Sequence, residues 1–347
     1  MAQLLPAMEA ELSASPALYR PARFWQRLNA LHDTQLDRSG FHSFKRTVNQ
    51  AYYNWLLGFR DPQVRALVNW WVRHPSPEVA AARVDDWRGF ESQSGMNPLR
   101  HRHRRMIYSL AVATLWEYAH RRDTLGLLAR LDEPDLGCPI VVRHRGRRIS
   151  QDLANSTIEL YAIAEAMGTP APGPEGVIEL GAGYGRLAWL YLSAFPGVRY
   201  LIADIPPALA IAQSYLTRLF PEQRVFGFRH FDRYRDIADE FESAQVLFVT
   251  PNQLETLPPQ RASLFVNISS LHEMRPDQIA NYVHLIGRHT EGIFYTKQWW
   301  RWTNPDDGIM ISQSDYPIPK AWKQVYLRSH PIQQRLFEAA YRVVGEA

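Results

Sequence analysis

The stretch that decides the fold is "GVIELGAGYGRLAWLYL", residues 176–192. A short apolar run, "VIEL", ends in a turn carrying Gly181, Gly183 and Gly185. A helical pattern follows at once, with Leu187, Leu190, Tyr191 and Ala194 on one face. Glycine takes positive φ without strain and lets another group come close to the backbone. Three glycines at alternate positions between a strand and a helix therefore predict a turn that serves a ligand at the helix N-terminus.

Working downstream, "RYLIADI" (199–205), "QVLFVT" (245–250), "SLFVNIS" (263–269) and "GIFYT" (292–296) are short runs of β-branched and aromatic residues. Helical patterns lie between several of them, as with Ile279, Tyr282, Val283 and Ile286. This alternation predicts an α/β fold, a Rossmann-like parallel sheet with helices on both faces. Upstream, "GTPAPGPEG" (168–176) holds three prolines and three glycines and cannot continue a helix. Residues 1–167 read as an all-α region. Its stripes are Phe24, Leu28 and Leu31; Phe44, Val48, Tyr52, Trp55 and Phe59; Val64, Leu67, Val68 and Trp71; and Ile107, Leu110, Ala111, Leu115 and Tyr118. Two domains are expected, a helical lid or dimerisation region over 1–167 and a ligand-binding sheet domain over 168–347.

The 347 residues contain one cysteine, Cys138, so no internal disulfide can form. No apolar run reaches the roughly 18 residues of a membrane span. The N-terminal stretch "MAQLLPAMEAELSASPALYR" has acids where a signal peptide carries positive charge. A cytoplasmic protein is expected. Lys and Arg exceed Asp and Glu in residues 1–150, 22 against 14, and fall below them in 151–347, 17 against 21. The densest basic run, "LRHRHRRM" (99–106), lacks the interleaved aromatics of a single-strand platform and reads as a solvated helix start. Neither a nucleic acid nor a membrane is expected as partner.

The glycine spacing discriminates between ligands. A dinucleotide turn takes G-x-G-x-x-G; here the third glycine comes one place earlier, and Glu179 precedes the first by two. E-x-G-x-G-x-G resembles motif I of the class I S-adenosylmethionine-dependent methyltransferases. Asp204 ends the next strand, nineteen residues past Gly185, where an acid can accept from both ribose hydroxyls.

A closer resemblance covers residues from about 20 to 340. "FKRTVNQAYYNW" (44–55), "QDLANS" (151–156), "ELGAGYGRLA" (179–188), "IADIPPALAIAQ" (202–213), "NISSLHEM" (267–274), "YTKQWWRWTNP" (295–305) and "DYPIP" (315–319) occur in this order. They resemble the sugar O-methyltransferase family, bacterial enzymes tied to polyketide tailoring sugars and surface glycans. The resemblance implies S-adenosylmethionine as cofactor and a small-molecule substrate. It implies Gly181 and Gly183 lining the cofactor, Glu179 near its amino-acid end, Asp204 on the ribose and Ile205 beside the adenine. Asn252 and Gln253, from "TPNQLE" after the third strand, are candidates for the adenine edge. Asn155 or Ser156 is a candidate for the methionine end, or else an N-cap and first turn of the following helix.

A sugar hydroxyl becomes a nucleophile when a general base takes its proton. His272 stands just past the fourth strand, in a segment resembling the "LHDW" of small-molecule O-methyltransferases, and is expected to be that base. Glu273 is expected to orient it or to act as a second acid–base group. In "KQWWRWTNPDDG", Lys297, Gln298, Trp299 and Trp302 are candidate acceptor contacts, joined by Tyr53 from the helical region. Trp299, Trp300 and Trp302 read equally as a core cluster. No metal is expected, since no strand-end Asp pair and no ligand spacing is present. "PDDG" (305–308) reads as a turn. The expected activity is O-methylation of a sugar hydroxyl, the alternative being a non-sugar hydroxyl, carboxyl or nitrogen. A nucleic-acid base methyltransferase would carry N/D-P-P-Y/F where this chain has "NISS".

Overall fold

The computed structural model describes residues 3–48, 61–91, 97–169 and 176–344. The chain forms two compact units. One comprises Met1–Asn29, Ile163–Arg328 and Leu336–Ala347; the other comprises Ala30–Ala162 and Ser329–Arg335. The helical unit therefore begins at Ala30 rather than at the first residue. The reason is packing: Leu12 and Tyr19 are buried in the core of the sheet unit.

The sheet unit is built on strands β1 (Val177–Leu180), β2 (Tyr200–Ala203), β3 (Val246–Val249), β4 (Ala262–Ile268), β5 (Thr290–Trp299), β6 (Lys323–Ser329) and β7 (Leu336–Arg342). With the edge segment Val225–Phe226 they make one eight-stranded sheet, in the order β6-β7-β5-β4-β1-β2-β3-edge. The edge segment and β1 to β5 run parallel, and β7 pairs antiparallel with β5. Strands β1 to β4 are buried at every position, which is why they read as near-continuous apolar runs. The helix Arg186–Ala194 follows β1, Ala208–Leu219 follows β2 and Pro276–His289 follows β4. The stripe Ile279, Tyr282, Val283 and Ile286 is buried as its spacing predicts. Because β1 lies between β2 and β4, the strand order reverses there, and a ligand crevice opens at the carboxyl ends of such strands.

One sheet strand has a weak propensity signal. The sequence of β7, "LFEAAYR", contains no β-branched residue. Its pairing with β5 over seven register positions makes it a strand. Past β5, Arg301–Thr303 and Met310–Ser312 form a hairpin. Residues 305–308 make its turn, with Asn304 donating to Asp307 and Gly308 at φ 73°.

The second unit is mainly helical and holds a three-stranded antiparallel sheet (Arg83–Val84, Val142–His144, Arg147–Ile149) that the sequence reading did not anticipate. Its central helix, Arg102–His120, is buried almost all round from Ile107 to Ala119. Asp61 caps the helix Pro62–Arg73 by accepting from the Gln63 N–H, with Pro62 at the first helical position. The buried stripe of that helix is Val64, Leu67 and Trp70; Val68 is exposed and Trp71 half-buried, so the inward face is rotated from the one expected. The basic run does start a helix: Arg105 donates to the Leu99 and Arg100 carbonyls and lies over the Trp87 ring. The buried ion pair of Lys45 with Glu133 and the buried contact of His144 Nε2 with Glu117 tie the unit internally.

Candidate active site

The candidate site begins at the glycine turn after β1. Gly181 has φ 74°, and a Cβ there would lie 2.3 Å from Ser270 Oγ in the loop after β4. Gly185, at φ 83°, would press a Cβ to 3.0 Å from Leu216. Gly183, at φ 62°, turns its N–H onto Asp204 Oδ2 at 2.8 Å. The Ile205 N–H meets Asp204 Oδ1 at 2.7 Å. Asp204 thus ties the turn after β1 to the end of β2. Burial pushes its pKa up to about 7, against the lowering by these two N–H bonds. A carboxylate oxygen accepts about two hydrogen bonds, so each retains one acceptor direction.

The facing side is made of side chains. Asn267, fully buried in β4, donates to the Leu180 carbonyl at 2.8 Å and to Ser270 Oγ at 2.7 Å. Its Oδ1 accepts from Gln298 Nε2 at 2.6 Å and from the Leu271 N–H at 3.2 Å. Gln298, fully buried in β5, accepts on Oε1 from His272 Nδ1 at 2.8 Å. His272 is 1% exposed, with its ring 5.3 Å from that of Trp302 and 6.3 Å from that of Trp299. Burial lowers its pKa to about 4, with the Gln298 contact opposing. His272 Nε2 lies 3.6 Å from Glu273 Oε1. Burial raises the Glu273 carboxyl well above its usual range; the Trp25 hydrogen bond opposes this and the Asp204 charge adds to it. At neutral pH the imidazole is therefore uncharged.

The segment before residue 30 covers the loops at this end of the sheet. Trp25 Nε1 donates to Glu273 Oε2 at 3.0 Å, and Phe24 stacks edge-on to Trp302 at 5.3 Å. Arg27 forms a two-pronged pair with Asp306, and Asn29 donates to the Pro206 carbonyl at 2.7 Å. Sequence reasoning missed Trp25 and Asn267. The signal for Asn267 was a lone amide inside the apolar run "SLFVNIS".

The structure brings Gly181, Gly183, Asp204 and Ile205 together at one side, and His272, Glu273, Trp299 and Trp302 at the other. Several expected contacts are corrected. Gln298 is not turned to an acceptor: its nitrogen serves Asn267 and Thr296, its oxygen His272. Lys297, 1% exposed, is on the opposite sheet face, because neighbouring strand residues alternate. Gln253 is not at an adenine edge. Its oxygen accepts the Thr250 N–H and its nitrogen donates to the Arg229 carbonyl, the T-x-x-Q half of a capping box. Trp300 packs on Phe337 in the core.

Glu179 lies inside β1 with its carboxylate on the Tyr200 hydroxyl at 2.7 Å. Asn252 donates to Glu11 at 2.7 Å, and its buried Oδ1 has no partner. Ser156 is buried in the helix Gln151–Met167, in the helical unit, beside Asn155. Tyr53 falls outside the described residues. Among the described residues no three His, Cys, Asp or Glu are grouped to hold a metal ion, and no helix is long and apolar enough to cross a membrane.

No protein-family model matches the chain, and no curated protein does. Solved structures do. The pyocyanin biosynthetic protein PhzM aligns at 11% identity and TM-score 0.35, over 56% of this chain and 57% of its own. Magnesium protoporphyrin IX methyltransferase (ChlM) from Synechocystis PCC 6803, solved with bound SAM, aligns at 11% identity and TM-score 0.36, over 56% of this chain and 83% of its own. The CcbJ methyltransferase from Streptomyces caelestis aligns at 14% identity and TM-score 0.35, over 55% of this chain and 95% of its own.

Proposed function

We propose that the protein is an S-adenosylmethionine-dependent O-methyltransferase that acts on a sugar hydroxyl of a small-molecule glycoside or related natural product. The observation that carries this reading is a pairing at the strand-order reversal. A buried carboxylate anchored on a glycine turn stands on one side, and a buried neutral imidazole walled by tryptophans on the other.

The residues fit the cofactor. Asp204 keeps an acceptor direction on each oxygen for the ribose hydroxyls. Ile205 offers an apolar flank for the adenine, and the unpartnered Oδ1 of Asn252 an acceptor for its amino group. When bound, S-adenosylmethionine supplies a methyl group on a positively charged sulfur. The chain's part is then to hold the acceptor oxygen, exclude water and remove one proton. His272 Nε2 takes that proton. Trp299 and Trp302 present flat apolar walls suited to the C–H face of a sugar or to an aglycone. Glu273, its carboxyl raised by burial, is placed to share a proton with a neighbouring acceptor oxygen, and Trp25 holds its other oxygen in place.

The test is transfer of a labelled methyl group from S-adenosylmethionine to a panel of methyl 6-deoxyhexosides, simple phenols, carboxylic acids and amines. Label on the deoxyhexosides, lost in His272→Ala, is expected. Label confined to the other acceptors would transfer the assignment to non-sugar substrates.

A further inference from the structure

We infer that Gln298 is a positioning residue that fixes the hydrogen of His272 on Nδ1 and leaves Nε2 as the basic atom. This deepens the proposed methyl transfer and rests on its use of His272 as base.

Groups whose donor or acceptor character cannot change fix the orientation of the Gln298 amide. Gln298 Nε2 lies 3.2 Å from the Asn267 backbone carbonyl, which can only accept. Gln298 Oε1 lies 3.4 Å from the His272 backbone N–H, which can only donate. Turning the amide over would set donor against donor and acceptor against acceptor. The oxygen therefore faces the imidazole, and at 2.8 Å from it Nδ1 must carry the hydrogen. Thr296 Oγ1, 3.0 Å from Nε2, and Asn267 Oδ1, at 2.6 Å, hold the amide from behind. Asn267 in turn grips the Leu180 carbonyl at the start of the glycine turn, so base and turn share one network.

An amide in this place differs from the carboxylate that more commonly backs a histidine base. It orients the ring while favouring its charged form less than a carboxylate would, so burial keeps the imidazole neutral and ready across the physiological range. Among the described residues, the titratable group beside the ring is Glu273 on its own turn, which itself interacts with Asp204 after β2 and Tyr316 beyond the hairpin. Trp299, Trp302 and Gln298 also face it and carry no charge.

Imidazole nitrogen NMR on the full chain saturated with S-adenosylhomocysteine reads the tautomer directly, with His272→Ala assigning the signal. A neutral ring protonated on Nδ1 at pH 7 is expected. Gln298→Leu should lose that preference and lower kcat at least roughly tenfold, with S-adenosylhomocysteine affinity kept. Gln298→Glu should keep the tautomer and move the acid limb of kcat up by about one pH unit or more, since a carboxylate favours the imidazolium. A wild-type ring protonated on Nε2, or an unmoved acid limb in Gln298→Glu, would overturn the inference while leaving methyl transfer intact. Undiminished turnover by His272→Ala would instead remove the base role and leave the tautomer assignment standing. If Gln298→Leu does not fold, the wild-type tautomer and the Gln298→Glu profile decide.

Discussion

The two sides of the candidate site are made of different material. On the β1–β2 side the working parts are backbone: positive φ at three glycines and two N–H groups held by one carboxylate. On the β4–β5 side they are side chains, Asn267, Gln298 and His272, in a buried relay of hydrogen bonds. A backbone-built side suits a cofactor whose ribose is the same in every reaction. A side-chain-built side sets the position and protonation of one atom, as proton transfer from a particular acceptor demands. The difference predicts that substitutions on the two sides separate into effects on turnover and effects on cofactor affinity.

The largest effect belongs to the side-chain side. His272→Ala should lower kcat by about 10²–10⁴-fold while leaving cofactor affinity little changed, as measured with labelled methyl transfer and calorimetric titration. Asn267→Leu should cost about 3 kcal/mol of stability in chemical denaturation. It strands the Leu180 carbonyl, Ser270 and Gln298 together in a buried place. Asp204→Ala should weaken cofactor binding by about 1.5–3 kcal/mol without lowering kcat at saturation. Equal losses in kcat for both His272→Ala and Asp204→Ala would dissolve the distinction.

A smaller effect sharpens the backbone side. The Asp204 pKa is raised to about 7 in the free protein. Ribose hydroxyls donating to it favour the charged form, so its pKa falls on binding and a proton leaves. Titrations of S-adenosylhomocysteine near pH 7 in buffers of different ionisation enthalpy should show proton release, and affinity should decline as pH drops below about 7. Proton uptake would contradict this placement. The smallest effect is at the rim. Arg27 and Asp306 form an ion pair whose arginine is half exposed, and Arg27→Ala should change stability by less than about 1 kcal/mol.

Legibility in the sequence followed the same division. Glycine spacing and the strand-end acid are local features imposed by backbone geometry, so β1, its turn and Asp204 could be read from a few adjacent residues. That His272 stands just past β4 could be read from the sequence. What holds it could not, because Gln298 meets it from 26 residues away and the face it occupies is decided by strand alternation. Lys297 and Gln298 look like equal candidates in "KQWW", yet period-two geometry sends them to opposite faces. Gln253 carried a readable signal, the T-x-x-Q spacing that caps a helix, which outweighs its position at a strand end. Trp25 lies 248 residues from Glu273 in the chain, and only folding joins them. β7 was not singled out in the sequence, because its pairing with β5 rather than its composition makes it a strand.

The central claim is that the glycine turn and Asp204 form the seat of S-adenosylmethionine. Calorimetric titration with S-adenosylhomocysteine, run beside NAD on wild-type protein and Asp204→Ala, tests it most directly. One saturable site for S-adenosylhomocysteine, weakened in Asp204→Ala, with no binding of NAD, is the predicted result. Absence of saturable binding, or an affinity that Asp204→Ala leaves unchanged, would contradict it.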